Sequence, residues 1–361
     1  MKSIEHGECI KLYGPRNFGK TSLARNIVGK EWESKDPKKR IVVYADLYSV
    51  NTLEDISFEI SKAFQSAINS KKNFFDKGME WMKVLKNIRP TWSPSLDGSD
   101  MGEISFATQK MGKIIDFGLI FESIDELQKE KKIKFLIILD EFQEVHKVKK
   151  AEAKLREVLQ NFRSKIPVVI LGSKQHMLSE IFEKPRAPFY SWGMTVEFQP
   201  IDYVKYFNYI EERFKKVGKS HSLEVSKYLQ DKMNRIPESI NRFCDYWVKN
   251  AETDSMQKAD VDQKMSEFVD RSRSIYEHSY STLFSSERKI MINVAKHGRI
   301  TDFLGKSNLK EINGVSKSTV QNLKKKLLDS SVLSCGLNEE GQLTYWVTDP
   351  FFSYFIKSYK A

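Results

Sequence analysis

The chain has 361 residues, too many for one typical domain and enough for two or three that each bury a core. Hydrophobic residues make up 40% and charged residues 30%, and the longest apolar runs fall far short of a membrane span, so the composition fits a globular, cytoplasmic protein rather than a helical membrane one. Basic residues outnumber acidic ones by 59 to 48, a net +11 compatible with a polyanionic partner, and Cys9, Cys244 and Cys335 are scattered without disulfide or zinc spacing.

In chain order, Glu8 to Tyr13 alternates as a short strand and runs into Gly14-Pro15-Arg16-Asn17-Phe18-Gly19-Lys20-Thr21. This octet satisfies G-x-x-x-x-G-K-[ST]. Its backbone amides can wrap a di- or triphosphate, its lysine reaches the β/γ-phosphates, and its hydroxyl suits Mg²⁺. Leu23 and Ile27 then lie four apart on one helical face, and a helix starting near Lys20 aims its positive dipole end at the anion. The candidate nucleotide-binding residues are therefore Gly14, Pro15, Arg16, Asn17, Phe18, Gly19, Lys20, Thr21 and Ser22.

A charged linker, Lys30 to Lys39, precedes Arg40 to Leu47, whose apolar run predicts a strand covered on both faces. Asn51 to Asn69 predicts a helix with Leu53, Ile56, Ile60 and Phe64 on one face and Thr52 as cap. From about 70 to 112 the periodicity weakens and turn residues accumulate, which predicts an insertion. Periodicity returns with a helix over Phe117 to Lys129. Lys134 to Leu139 is then a buried-type strand ending in Asp140 and Glu141. An aspartate at such a strand end can hold Mg²⁺ alongside the loop hydroxyl, and the adjacent glutamate can deprotonate an attacking water. A helix over Ala153 to Arg163 leads to the strand Ile166 to Ser173, where Ser173 is a candidate γ-phosphate sensor. Met194 to Phe198 supplies a fifth strand, and this alternation predicts an α/β fold with a parallel five-stranded sheet.

Beyond Asp202 the pattern is helical, with Pro237 beginning one helix, and the segment is expected to form a helical lid. Ser279 to Ala361 combines a helix over Leu283 to Lys296, a glycine turn at Asn313-Gly314, a helix capped by Ser316 and a hairpin closing on Gln342 to Val347. That order predicts a C-terminal winged helix, and Lys317, Lys324, Lys325 and Lys326 on its second helix are candidates for double-stranded DNA binding. The expected organisation is an ATPase domain over 1–200, a lid over 201–275 and a winged-helix domain over 276–361.

Taken together, Gly14 to Thr21, Leu136 to Glu141, Val168 to Ser173, the segment at Pro237 and Thr348-Asp349-Pro350-Phe351 resemble archaeal-type P-loop ATPases of the STAND and AAA+ branch. The resemblance implies that the chain binds ATP or ADP with Mg²⁺. Lys20 would contact the phosphates, Thr21 and Asp140 would hold the metal, Glu141 would position water, Ser173 would act as sensor and Pro237 would pack near the adenine. Three departures stand out: the first strand begins almost at Met1, Arg235 replaces the lid glycine usual two residues before the proline, and any arginine function falls to Arg186. The expected activity is that of an ATP-hydrolysing switch acting on DNA or a protein effector and able to self-assemble on ATP binding. The alternatives are a DNA-binding regulator or adaptor with a slow, structural nucleotide site, and a kinase-like phosphotransferase on the same loop.

Overall fold

The computed structural model describes residues 1–71, 90–93, 103–106, 117–162, 165–338 and 340–361. The chain forms two compact units, one of Met1–Tyr13 with Lys20–Glu197, the other of Gly14–Gly19 with Phe198–Ala361.

The first unit opens with helix α1 (Lys2–Glu5) and strand β1 (Ile10–Tyr13). After the loop comes one helical stretch, α2, which is α-helical over Lys20–Ser22, π-helical over Leu23–Gly29 and α-helical again over Lys30–Ser34. Then follow β2 (Arg40–Asp46), α3 (Leu53–Asn69), the antiparallel pair β3 (Pro90–Ser93) and β4 (Glu103–Phe106), α4 (Phe117–Lys131) and β5 (Lys134–Asp140). A 3₁₀ turn over Phe142–Lys147, α5 (Ala151–Asn161), β6 (Val168–Gly172), α6 (Gln175–Phe182) and β7 (Met194–Glu197) complete the unit.

Five strands pair in the order β2-β5-β6-β1-β7, all parallel. Phe135 to Leu139 are fully buried, which is why this run carries no polar alternation: both faces of an inner parallel strand are covered. The insertion expected over about 70–112 falls largely outside the described residues. Helix α3 begins as its sequence predicts. Thr52 accepts from the Asp55 amide while the Asp55 carboxylate accepts from the Thr52 amide, a reciprocal cap. Because the strands are parallel, the C-terminal ends of β1, β5 and β6 share one edge of the sheet, so the phosphate-loop start, Asp140 and Ser173 are brought there by topology.

The second unit contains α7 (Tyr203–Lys216), β8 (Ser220–His221), α8 (Leu223–Lys232), α9 (Pro237–Asn250), β9 (Ser255–Met256), α10 (Lys258–Arg271) and α11 (Arg273–Ser281). It continues with α12 (Ser285–His297), α13 (Lys306–Glu311), α14 (Lys317–Asp329), the antiparallel hairpin β10 (Leu333–Leu337) and β11 (Leu343–Val347), and α15 (Pro350–Tyr359). Residues on both sides of position 275 share a single apolar core, with the Phe268 and Phe351 rings 4.3 Å apart and Tyr276 stacked on Phe352. Helix α15 has no counterpart in the sequence reading. Four of its apolar residues, Phe351, Phe352, Phe355 and Ile356, are buried, while Asp349 caps it and Pro350 occupies its first turn.

One ion cluster ties the start of the chain to β2. Glu5 is bonded to both terminal nitrogens of Arg40, at 2.5 and 2.9 Å, and to Lys35 at 3.0 Å. The Arg40 hydrogen bonds, helped by Lys35, hold the Glu5 carboxyl down at about 2, against an ordinary 4.5. A depressed carboxyl stabilises the fold at pH above its unfolded value and loses that contribution as pH falls through the folded one. Glu5→Gln is therefore expected to flatten the stability curve between pH 4.5 and 2, read by denaturant melts across that window.

Candidate active site

Segment Gly14–Gly19 is covalently continuous with β1 on one side and with the helix starting at Lys20 on the other. Two of its residues sit in the left-handed region, Asn17 at φ 66° and Gly19 at φ 85°. Asparagine and glycine tolerate that conformation best, so the residues at these two positions suit the backbone they adopt. Within the second unit, Phe18 is buried with Ile236 and Trp346, and Phe198 packs beside them.

Asp140 ends β5 and is only 4% exposed. Its Oδ2 accepts from the Thr21 hydroxyl at 2.6 Å and from the Tyr44 hydroxyl at 2.8 Å, while Oδ1 accepts from the Glu141 amide at 2.8 Å. Tyr44 lies on β2 two residues before Asp46, whose Cα is paired with that of Asp140, and the Arg25 guanidinium stands 4.6 Å over the Tyr44 ring. Burial, reinforced by the Asp140 carboxylate, pushes the Tyr44 phenol above its ordinary value and keeps its proton in place for donation.

Glu141 follows in a left-handed conformation, φ 51°, which a non-glycine residue adopts only under constraint. The constraint is visible at its carboxylate: Oε2 accepts from the Gln143 amide nitrogen and, at 2.8 Å, from the Ser173 hydroxyl. Gln143 is fully buried and its Oε1 accepts the Ser173 backbone amide at 3.2 Å. One glutamine thus joins the end of β5 to the end of β6. Beside it, Glu144 pairs with Lys174 at 3.2 Å and with Lys147.

The structure brings Thr21, Asp140, Glu141 and Ser173 into two adjoining hydrogen-bonded clusters, and it buries Lys20 at the head of its helix. Arg186 is exposed in the connection between α6 and β7 and joins none of these residues by a hydrogen bond or ion pair. Pro237 begins α9, and its carbonyl accepts from the Tyr206 hydroxyl at 3.0 Å. Just before it, Asn234 and Arg235 have φ of 52° and 57°, so Arg235 takes the left-handed conformation that a glycine would adopt without strain. Its guanidinium donates to the Ile201 carbonyl at 2.7 Å and lies 4.1 Å over the Tyr203 ring.

Of the four α14 lysines, Lys317, Lys325 and Lys326 are exposed. Lys324 instead lies 4.9 Å over the Tyr345 ring, and burial pushes its pKa down. Lys326 bonds Glu287 at 2.7 Å above the Phe284 ring.

The sequence reading missed Tyr44 and Gln143. Gln143 stands among polar neighbours, Glu141, Glu144 and His146, so nothing local marks it as buried; only the fold shows that it is, and that its amide must find partners. Nothing in a single sequence links Tyr44 to an aspartate 96 positions away.

A phosphate loop, a strand-end acid pair and a parallel sheet of this order define an α/β P-loop NTPase fold. The chain belongs to the family of ATPase domains found predominantly in Archaea, whose model matches residues 3–237. Its fold is similar to the Walker-type ATPase PABY2304 of Pyrococcus abyssi, at 16% identity and TM-score 0.60, covering 99% of this chain and 93% of that one. It is also similar to the ORC2 protein of Aeropyrum pernix, solved in ADPNP-ADP complexes, at 15% identity and TM-score 0.53, covering 97% and 86%. No curated protein matches the chain in sequence. Among the described residues, no helix is long and apolar enough to cross a membrane.

The donor set also bears on the metal such a fold implies. The Thr21 hydroxyl and the Asp140 carboxylate are hard oxygen donors joined by a 2.6 Å hydrogen bond through Oδ2, and Mg²⁺ is commonly held by one or two protein oxygens with the rest supplied by water and phosphate.

Close packing makes one glycine testable. A Cβ on Gly172 would stand 2.5 and 2.7 Å from the two Leu178 methyl carbons and 2.9 Å from Gln143 Oε1. Gly172→Ala is therefore expected to destabilise the protein by about 1–3 kcal/mol, measured by denaturant unfolding, because packed side chains must shift to admit the methyl group.

Proposed function

We propose that the chain hydrolyses ATP to ADP and phosphate and uses nucleotide state as a switch. The observation that carries this reading is the pairing of Thr21 with Asp140 beside a Glu141 carboxylate held by Gln143 and Ser173, at the edge where the phosphate loop begins. In this reading the loop amides and Lys20 neutralise the phosphate oxygens, and Thr21 and Asp140 hold Mg²⁺. The metal would supply charge neutralisation at the phosphates. Glu141 accepts the proton of the attacking water through Oε1, since Oε2 already takes two donors. Ser173 senses the γ-phosphate by exchanging its bond to Glu141 for one to a phosphate oxygen. Pro237 packs near the base, and a left-handed turn at Asn234-Arg235 presents it.

On the output side, we propose that residues 276–361 act as a winged helix and that the nucleotide state sets its arrangement and that of the lid. The net charge of +11 and the exposed Lys317 and Lys325 support double-stranded DNA as a partner. Lys324 and Lys326, engaged with Tyr345 and Glu287, would contribute less. A protein effector and ATP-driven self-assembly belong to the same proposal, as does a cytoplasmic location. Arg186, exposed and unengaged by the two clusters, is the residue proposed to reach a neighbouring copy's nucleotide as an arginine finger.

Phosphate release with Mg²⁺ is the direct test. Glu141→Gln is expected to lower kcat by about 100-fold or more while ATP still binds. Lys20→Ala is expected to weaken ATP binding by about 10- to 100-fold through loss of a charge-assisted contact. Wild-type protein that neither binds nor turns over ATP, with or without DNA, defeats the proposal. DNA binding is checked separately: replacing Lys317 and Lys325 by alanine should weaken it and shallow its salt dependence by about one phosphate contact each, whereas replacing Lys324 should leave the salt slope near its wild-type value.

A further inference from the structure

We propose that Tyr44 is a positioning residue for the metal-binding edge of this site: its hydroxyl, with the Arg25 guanidinium over its ring, fixes which oxygen of Asp140 faces a divalent cation. The inference rests on the reading of Asp140 and Thr21 as metal-holding residues.

An ionised carboxylate offers about four lone-pair positions, two on each oxygen. At Asp140 the Thr21 and Tyr44 hydroxyls, at 2.6 and 2.8 Å, occupy both positions of Oδ2. The Glu141 amide, at 2.8 Å, occupies one position of Oδ1. Among the described residues no further donor reaches this carboxylate, so a single acceptor position is left, and it belongs to Oδ1. Thr21 sits on the helix that follows the phosphate loop, and Glu141 is the neighbour of Asp140 itself. Tyr44 is the donor supplied by a different strand, one that is hydrogen-bonded to β5 throughout its length. It therefore ties the carboxylate to the sheet and not to the loop.

The tyrosine is itself held in place. Its strand position sets the ring two residues before Asp46, level with Ile138, and Arg25 lies against the ring at 4.6 Å. Arg25 belongs to the π-helical segment of α2, so the ring is gripped by the same helix that carries Lys20 and Thr21. Without the hydroxyl, an acceptor position opens on Oδ2, and the two oxygens compete for the cation side. Residues that orient metal ligands in this way typically alter metal affinity by about 10- to 100-fold when removed.

Tyr44→Phe keeps the ring and the Arg25 stack and deletes only the donor. The experiment uses the full chain with ADP and Mn²⁺ as the probe, reading free Mn²⁺ by electron paramagnetic resonance, and measures ADP affinity in EDTA and melting temperature in parallel. The expected result is Mn²⁺ binding weakened about tenfold, with metal-free ADP affinity within about twofold of wild type and turnover recovering at high Mg²⁺. Equal Mn²⁺ affinity in the variant and wild type overturns the inference, as does an equal loss of metal-free ADP affinity, which marks a merely structural residue. If the variant melts early, Arg25→Met carries the test: it loosens the ring without touching the hydroxyl, and unchanged Mn²⁺ affinity there counts against the proposal. Failure of wild type itself to bind Mn²⁺ with ADP would instead overturn the underlying reading of the site.

Discussion

A carboxylate buried at the end of a parallel strand is the constraint on which the rest of this structure depends. Asp140 is 4% exposed, and a charge taken out of water is tolerated only when its lone pairs are met by donors. Three donors meet them, from the helix after the phosphate loop, from β2 and from the backbone of Glu141. Each comes from a different element, so satisfying one charge fixes the loop helix, the edge strand and the start of the 3₁₀ turn relative to one another.

The next residue carries the second constraint. Glu141 is held at φ 51°, and a left-handed non-glycine residue persists only where its surroundings over-determine it. Gln143 and Ser173 do so by donating to one carboxylate oxygen, which leaves the other without a side-chain donor among the described residues and gives the group a defined face. Gly172 makes this possible from beneath, since any side chain there would collide with Leu178 and with Gln143 Oε1. The small residue before Ser173 thus has a packing reason. The arrangement is of the kind that suits chemistry: each carboxylate is held by donors at one oxygen, with an acceptor position left on the other.

The second unit uses its charges differently. Arginines and lysines there are repeatedly laid over aromatic rings, as with Arg242 over Phe268 and Phe351, Arg299 over Trp346, and Lys324 over Tyr345. Such contacts cover apolar surface with the cationic side chain itself. Part of the excess positive charge is therefore structural, and a count of lysines along α14 overstates the number that can face a polyanion.

Much of the sheet unit was legible in the sequence because its signals are local. A phosphate loop has a fixed spacing, inner parallel strands lose polar alternation when both faces are covered, and Thr52 and Ser316 announce helix starts by capping chemistry. Helix α15 went unread although Phe351, Phe352, Phe355 and Ile356 recur at helical spacing behind the Asp349 cap, whereas the short strands Ser220–His221 and Ser255–Met256 have too few residues to show a period. The sequence by itself singled out Lys20, Thr21, Asp140, Glu141 and Ser173 as candidates for the chemistry, because each follows a local pattern of strand, loop and helix. Tertiary structure alone decided how they are held. The β2-β5 pairing that brings Tyr44 to Asp140, the close approach at Gly172 that admits Gln143 Oε1, and the inward turn of Lys324 all depend on contacts between residues far apart in the chain, and no local pattern encodes those.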